Sequence, residues 1–443
     1  MFRSLMSSWP LFFGLLLIMI GNGLLVFLLG VRASAAGFST TVSGLMMGGY
    51  FIGFFGGSRY VPRILQDVGH IRTFGALSAI ASAAVLVHIV SVNPALWTIM
   101  RLFTGFAYAG MYIVVESWLN DKSTNETRGQ MLAIYMIITM AGLSAGQLLG
   151  GLDDGITNLL FLTASILVSV AVVPILITAS QAPEFSEPES VSLRRLFQIS
   201  PLALVGMGLQ GFTASMIFGM GAIYATSIGM SNQQGSVFLA SVTIANVIMQ
   251  YPVGRLSDRF DRRLVILIVA SISAVAAACA SFVGISSYWG LVMLTALYGG
   301  FSMTIYSLCI AHANDYLSPS QMIGTASALI TVNGIGAIFG PPVIAALMDL
   351  FGSFIFFAVM SGVHIGLGVF VLARMSLRSA VPAEAQGPFI AVPEQGTAVA
   401  VSLNPETAWS EPDPDTALTD DPLADNPYLD IAAPAKPSSL SDS

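Results

Sequence analysis

Charge is what this chain lacks. Of its 443 residues only 9% are Asp, Glu, Lys or Arg, against roughly a quarter in a soluble domain, too few to coat a water-facing surface. Lysine occurs twice, at Lys122 and Lys436. With no basic patch to neutralise phosphates, a nucleic-acid binder is excluded. Cysteine is nearly absent: Cys279 and Cys309 both sit in apolar runs, where a disulfide framework or metal cluster is not expected and small buried hydrophobes are. No H-E-x-x-H helix or comparable catalytic cluster occurs, so neither enzyme activity nor a cofactor is expected.

What the chain has instead is apolar length. Hydrophobic residues make up 55%, gathered into runs of about 20 residues, the span of a transmembrane helix. Twelve helices are predicted, at 10–31, 42–64, 71–92, 95–120, 127–151, 157–179, 200–229, 233–254, 262–284, 287–315, 319–350 and 352–376. The first carries Arg3 before it and Ala33-Ser34-Ala35 after it, like a signal peptide. Its apolar stretch from Leu11 to Gly30 exceeds the ~7–15 residues of a signal core, so it reads as a retained helix.

The longest charged interruption, Gln181 to Arg195, falls between the sixth and seventh runs. It divides the chain into a first six-helix bundle (1–180), a linker (181–199) and a second bundle (200–376), the repeat plan of many transporters. With the N-terminus inside, one set of joints holds Arg59, Arg63, Arg72, Lys122, Arg128, Arg194, Arg195, Arg255, Arg259, Arg262 and Arg263. The other set holds only Arg32. That bias predicts cytoplasmic termini. From 377 to 443 the chain turns acidic and Pro-rich, and a disordered cytoplasmic tail is expected. Residues 381–443 carry eleven acidic residues and one lysine, so the net charge of −7 belongs to the tail and the remainder is +3.

Three motifs carry mechanism. Between the eighth and ninth spans runs Gly254-Arg255-Leu256-Ser257-Asp258-Arg259-Phe260-Asp261-Arg262-Arg263. The glycine admits a close helix, Asp258 can accept hydrogen bonds at a helix end, and the arginines hold the joint on one side. In the fifth span Gly142, Gly146, Gly150 and Gly151 form a small-residue groove for another helix, and Gly336 and Gly340 repeat the theme in the eleventh. In the fourth, Arg101, Gly105, Tyr108, Tyr112 and Glu116 are spaced four, three, four and four apart, one stripe at ~100° per residue. An ionisable group facing lipid costs at least ~2.5 kcal/mol, so the stripe should face the protein interior. Arg101 and Glu116, ~22 Å apart along the axis, cannot pair.

These motifs resemble those of the major facilitator superfamily. The loop is similar to G-x-L-x-D-R-x-G-R-R, with Asp261 where glycine is usual. Its first-half counterpart near Arg72 has Pro62 and Gln66 in place of the glycine and aspartate. The fifth helix resembles the antiporter motif G-x-x-x-G-P-x-x-G-G, with Gln147 for proline, and Arg101 with Gly105 resembles the fourth-helix R-x-x-x-G motif. Arg101 to Asn120, above all Val114 to Ser117, followed by Thr127 to Gln130, resembles the YcaD-type branch of bacterial facilitators. The resemblance covers roughly 10–376 and implies an all-α polytopic fold of two pseudo-symmetric six-helix bundles in the inner membrane.

It further implies alternating access for a small-molecule solute, with protons and membrane lipid as partners and a monomer as the unit. Arg101 is expected to serve coupling or substrate contact, or else to be satisfied by backbone carbonyls. Glu116 is expected to latch onto Arg59, Arg63 or Arg128, or else to carry a proton. The cytoplasmic latch would comprise Gly254, Asp258, Arg259, Arg262, Arg263, Glu116 and Arg72. Asn22, Tyr108, Tyr112, Gln210, Thr213, Asn246, Gln250, Tyr298, Ser302 and Asn333 are cavity candidates, with interhelical hydrogen bonding the competing role for each amide. Such a cavity is aromatic, amide-lined and poor in charge, and suits a neutral, amphipathic or weakly anionic solute. Proton-coupled export is the first expectation and symport uptake the second; a non-transporting receptor or scaffold is the third.

Overall fold

In lipid every backbone N–H and C=O must be satisfied within its own segment, so apolar runs of this length become helices. The computed structural model describes residues 2–124, 127–153, 157–176, 192–317, 319–377, 380–382, 386–394, 396–401 and 403. In the first half lie α1 (Phe2–Ala35), α2 (Thr40–Val68), α3 (His70–Val90), α4 (Pro94–Asp121), α5 (Arg128–Gly150), α6 (Leu159–Val170) and α7 (Val172–Leu176). A short α8 (Leu193–Ile199) leads into α9 (Pro201–Ser227), α10 (Asn232–Ser257), α11 (Arg262–Val283), α12 (Tyr288–Ser302), α13 (Thr304–Asn314), α14 (Pro319–Phe351) and α15 (Ile355–Leu377). A single turn, α16 (Ala398–Val401), follows in the tail.

Caps set several starts. Asn93 accepts from the N–H groups of Ala95 and Leu96, with Pro94 at the first helical position of α4, where its missing N–H has no intrahelical partner to lose. Ser231 and Gln234 form a reciprocal capping box on α10. Two predicted helices are split. The sixth breaks at Ala171 because Pro174 offers no N–H to the Val170 carbonyl, and the tenth breaks at Met303. The first starts earlier than expected, with Pro10 inside it.

Among the described residues, eleven segments are long and apolar enough to cross a membrane. The twelfth member of the bundle, α2, carries Arg59, Arg63 and Asp67 near its end and is diluted by glycines, which lowers its hydropathy. Large apolar side chains such as Phe282, Trp289, Met293 and Leu350 point outward, a surface no monomeric soluble protein of this size would carry. Cys309 is buried, but Cys279 lies on this outer surface and not inside.

The halves repeat the same packing. In the first bundle α1 packs on α5, α2 on α4, and α3 on α6; in the second α9 packs on α14, α10 on α12, and α11 on α15. The glycine motifs make the first of these contacts in both halves. A Cβ at Gly146 would sit 2.1 Å from the Ile20 carbonyl oxygen, and Gly142 and Gly150 press on Met19 and Phe27 of the same helix. In α14, a Cβ at Gly336 would lie 2.1 Å from the Gly208 carbonyl and one at Gly340 2.3 Å from that of Phe212, both on α9. Gly151 differs: it meets Ser236 of α10, across the two bundles.

Between bundles, contact begins at the end opposite the arginine-rich joints. There Ser34 Oγ lies 2.9 Å from Thr226 Oγ1, Thr41 donates to Asp349 through its N–H (2.9 Å) and hydroxyl (2.6 Å), and Asn232 donates to the Asp153 carbonyl at 3.0 Å. Deeper, Thr243 donates to Gln147 at 3.2 Å. Toward the basic end, described tail residues stand between the bundles. The expectation of a structureless tail from 377 onward therefore does not hold for residues 386–394 and 396–401; residues 404–443 and the 181–191 part of the linker lie outside the described residues.

Backbone cannot swing aside as a side-chain tip can, so Gly146→Val is expected to lower stability by about 1–3 kcal/mol through overpacking. Gly75→Ala on α3, where nothing lies within 4 Å, should match wild type or gain up to ~1 kcal/mol. Thermal melts of both variants in detergent, followed by size exclusion, check this; an unchanged Gly146→Val melt contradicts the packing.

Candidate functional site

The fourth-helix stripe is buried along its whole length, from Arg101 through Tyr108 and Tyr112 to Glu116. Gly105 serves closeness: its Cβ would lie 2.0 Å from the Tyr50 carbonyl, bringing α2 against α4. This contact places the Tyr50 ring under the Arg101 guanidinium, 4.4 Å from cation to centroid, a cation–π geometry. Tyr50, Tyr108 and Tyr112 then form a chain, with centroids 6.4 and 6.1 Å apart. Asn22 of α1 closes it by donating to the Tyr112 hydroxyl at 3.1 Å. Arg101 Nε and Nη1, the Tyr108 hydroxyl and Asn22 Oδ1 are buried without hydrogen-bond partners among the described residues.

Tyr50 was missed in the sequence. Gly49, Gly53 and Gly57 of α2, four residues apart, press on Thr98, Leu102 and Phe106 of α4. They are the same small-residue signal that marked the fifth span, and Tyr50 is the tyrosine that follows Gly49.

In the second bundle the candidates separate into groups. Ser302 Oγ lies 2.9 Å from His364 Nε2, and the Tyr298 ring meets the His364 ring edge-on at 5.3 Å. Asn333 donates to the Met207 carbonyl at 3.1 Å, tying α14 to α9. Thr213 bonds carbonyls of its own helix. Gln250 donates to Asn246 at 3.1 Å, and Asn246 faces Met140 Sδ of the first bundle at 3.9 Å. Gln210 donates to Glu394 of the tail at 2.5 Å.

The latch is corrected. Among the described residues no arginine pairs with Glu116: Tyr135 donates to it at 2.5 Å, and the Thr397 N–H donates to both its oxygens at 3.1 and 3.2 Å. Its depth inside the bundle keeps it from the arginines at the rim. Arg263 is held by Asp261, the cap of α11, at 2.8 Å. Arg262 pairs with Asp315 of the same bundle at 3.0 Å. Burial pushes the Asp315 carboxyl up to about 7, with Arg262 pulling it back down. Asp258 accepts the Phe389 N–H at 2.6 Å, and Gly254 is covered by the Phe389 ring. Arg259 and Arg72 are exposed, and neither has a carboxylate partner among the described residues. The loop is thus knit within its own bundle and to the tail, because Asp261 and Asp315 are nearer than any acid across the divide.

A sequence model described as the Major Facilitator Superfamily matches residues 11–204 and again 203–415. The chain belongs to the Major Facilitator Superfamily. The two matches divide it near the linker, as the paired bundles do. Among curated relatives, the uncharacterized MFS-type transporter YE1530 of Yersinia enterocolitica is 27% identical over 383 residues, 86% of this chain and 97% of its own. The uncharacterized MFS-type transporter YcaD of Salmonella arizonae is 27% identical over 373 residues, 83% and 94% respectively.

Of solved structures, a mutant of the nucleoside transporter NupG aligns with a TM-score of 0.70 at 13% identity, covering 83% of this chain and 99% of its own. A bacterial homolog of the human lysosomal transporter Spinster, inward-facing and unoccupied, aligns with a TM-score of 0.65 at 15% identity, covering 92% and 99%. These likenesses show the fold. Family membership makes this facilitator a multi-pass secondary transporter of a small molecule, not an enzyme.

The buried Thr243–Gln147 bond allows a test of cross-bundle pairing. Gln147 Nε2 already lacks a partner, so Thr243→Val leaves the whole amide unpaired and should cost about 1–3 kcal/mol, whereas Gln147→Leu with Thr243→Val should be close to neutral. Thermal unfolding in detergent measures both; equal costs for the single and double variants would contradict the pairing.

Proposed function

We propose that this facilitator sits in the bacterial inner membrane as a monomer with cytoplasmic termini and exports a small, weakly anionic or amphipathic solute in exchange for protons. The observation that supports the solute class is Arg101. A buried cation is costly unless it is countered, the Tyr50 face offsets part of that cost, and no carboxylate pairs with Arg101 among the described residues. A carboxylate or strongly polarised carbonyl on the solute would accept from the two unpartnered guanidinium nitrogens, with the tyrosines enclosing its apolar body. In the second bundle, the unpartnered Tyr298 hydroxyl and Gln210 Oε1 offer further polar contacts once the bundles rock about a midplane site.

The structure shifts the reading of Glu116. As a deeply buried carboxylate held by a hydroxyl and a main-chain N–H, with no arginine paired to it among the described residues, it suits a proton carrier better than a latch. Export is favoured by the glycine stripe of α5, which seats α1 closely enough to let the helices slide.

A thermal-shift screen of the purified protein against small carboxylates and zwitterions identifies the solute, since a bound ligand stabilises the native state. Arg101→Gln should abolish the shift and at least ~90% of flux, a loss of ~1.4 kcal/mol or more, with membrane insertion intact; normal turnover would remove Arg101 from the site. Inside-out vesicles with an acidified lumen should accumulate the solute. Depletion there would mean symport. Glu116→Gln should flatten the pH dependence of flux, and a surviving dependence would return Glu116 to a structural role.

A further inference from the structure

The tail contains an apolar island. Most of it is acidic and Pro-rich, yet from Gly387 to Leu403 the only charged residue is Glu394. In the structure this island enters the basic end of the molecule between the two bundles. Gly387 donates its N–H to Asp315 at 3.2 Å, and its carbonyl accepts from Arg262. Phe389 donates its N–H to Asp258 and lays its ring on Gly254. Val392 both donates to and accepts from the Ser307 hydroxyl, at 3.1 and 3.2 Å. Deeper, Glu394 meets Gln210, and Thr397 spans both oxygens of Glu116.

The partners come from α4 in one half and from α9, α10, α11 and α13 in the other. Val399 and Leu403 join the apolar core of the first bundle, and Val392 and Val401 that of the second. Most of these bonds go to main-chain atoms, which is how proteins read an extended peptide whatever its side chains, while alternate apolar residues fill pockets.

We propose that the basic-end vestibule is a peptide-binding site, and that the described residues from Gly387 to Leu403 of this same chain fill it as a tethered plug across the solute path. The occupancy stands on its own contacts; only its effect on flux rests on the transport reading. Thr397 is seated on the very carboxylate assigned to the proton, and Glu394 on a candidate solute contact, so plug and cargo exclude one another. Burial pushes the Glu394 carboxyl up to about 8, against the pull of the Gln210 amide. Burial thus favours the neutral form of the seated side chain, and Glu394→Gln is its conservative replacement.

Two readouts that need no solute test this in the full-length chain. In hydrogen exchange, the amides of Val392 and Thr397 should be protected in the native protein; exchange at the rate of an unstructured peptide would overturn the plug. In a Cys279→Ser, Cys309→Ala background, Ser307→Cys lies behind Val392 and should react slowly with an impermeant maleimide in detergent. Adding Val392→Asp and Thr397→Asp, both in the tail, should speed labelling at least ~10-fold, the equivalent of ~1.4 kcal/mol; adding Glu394→Gln should leave it slow. Fast labelling behind an intact tail, or labelling unmoved by the paired aspartates, would overturn the proposal. With a solute in hand, the paired aspartates should raise flux. If labelling rises and flux is absent in every form, the transport reading fails and the plug stands.

Discussion

No water reaches the middle of a bilayer, so every polar atom placed there must find its partner inside the protein. That constraint arranges most of what is seen. It makes the apolar runs into helices, and it brings α1 onto α5 and α9 onto α14 through glycines that let backbones touch. It pairs Thr243 with Gln147 and Gln250 with Asn246, and it leaves the arginine-rich joints at one rim. Against this background, a buried cation with two unpartnered nitrogens, Arg101, is an exception maintained at a cost. An ionisable group kept inside a membrane at such a cost is a functional-site candidate.

The repeat is close in architecture and divergent in chemistry. Corresponding helices pack in the same pairs, yet the first bundle presents an arginine on an aromatic chain and a buried glutamate, while the second presents His364 with Ser302 and Tyr298 and the amide of Gln210. The pseudo-symmetric scaffold thus carries a charged group in one half and neutral hydrogen-bonding groups in the other. Arg101 and the buried Glu116 both reside in the half whose loop signature is degraded, and the intact loop belongs to the half without them.

The all-helical membrane architecture and the glycine contacts were legible in the sequence, because each rests on local properties: apolar length and residue size. The misreadings share a cause. Glu116 was assigned to an arginine by nearness along the helix, but it points into the bundle, and its partners Tyr135 and Thr397 lie 19 and 281 residues away. The loop arginines carry no named partner in the sequence, and in the structure Asp315 and Asp261 hold Arg262 and Arg263. The tail was read from average composition, which hides an apolar island too short to span a membrane but long enough to fill a cleft. Polarity can be read one residue at a time; partnership cannot.

The short strap between α15 and the vestibule has one further consequence. Helix α15 ends at Leu377, Val381 packs against Ile199 and Tyr316 on the way, and the first residue hydrogen-bonded to the vestibule is Gly387, a reach of at most ~35 Å when extended. A ligand on such a leash has an effective concentration in the millimolar range, and it cannot be diluted away by purification. A solute arriving from the basic end competes with that permanent neighbour, whereas one arriving from the opposite end meets the site only after the bundles have rocked. The two faces of the same binding site would then show different apparent affinities, a rectification built from chain connectivity alone.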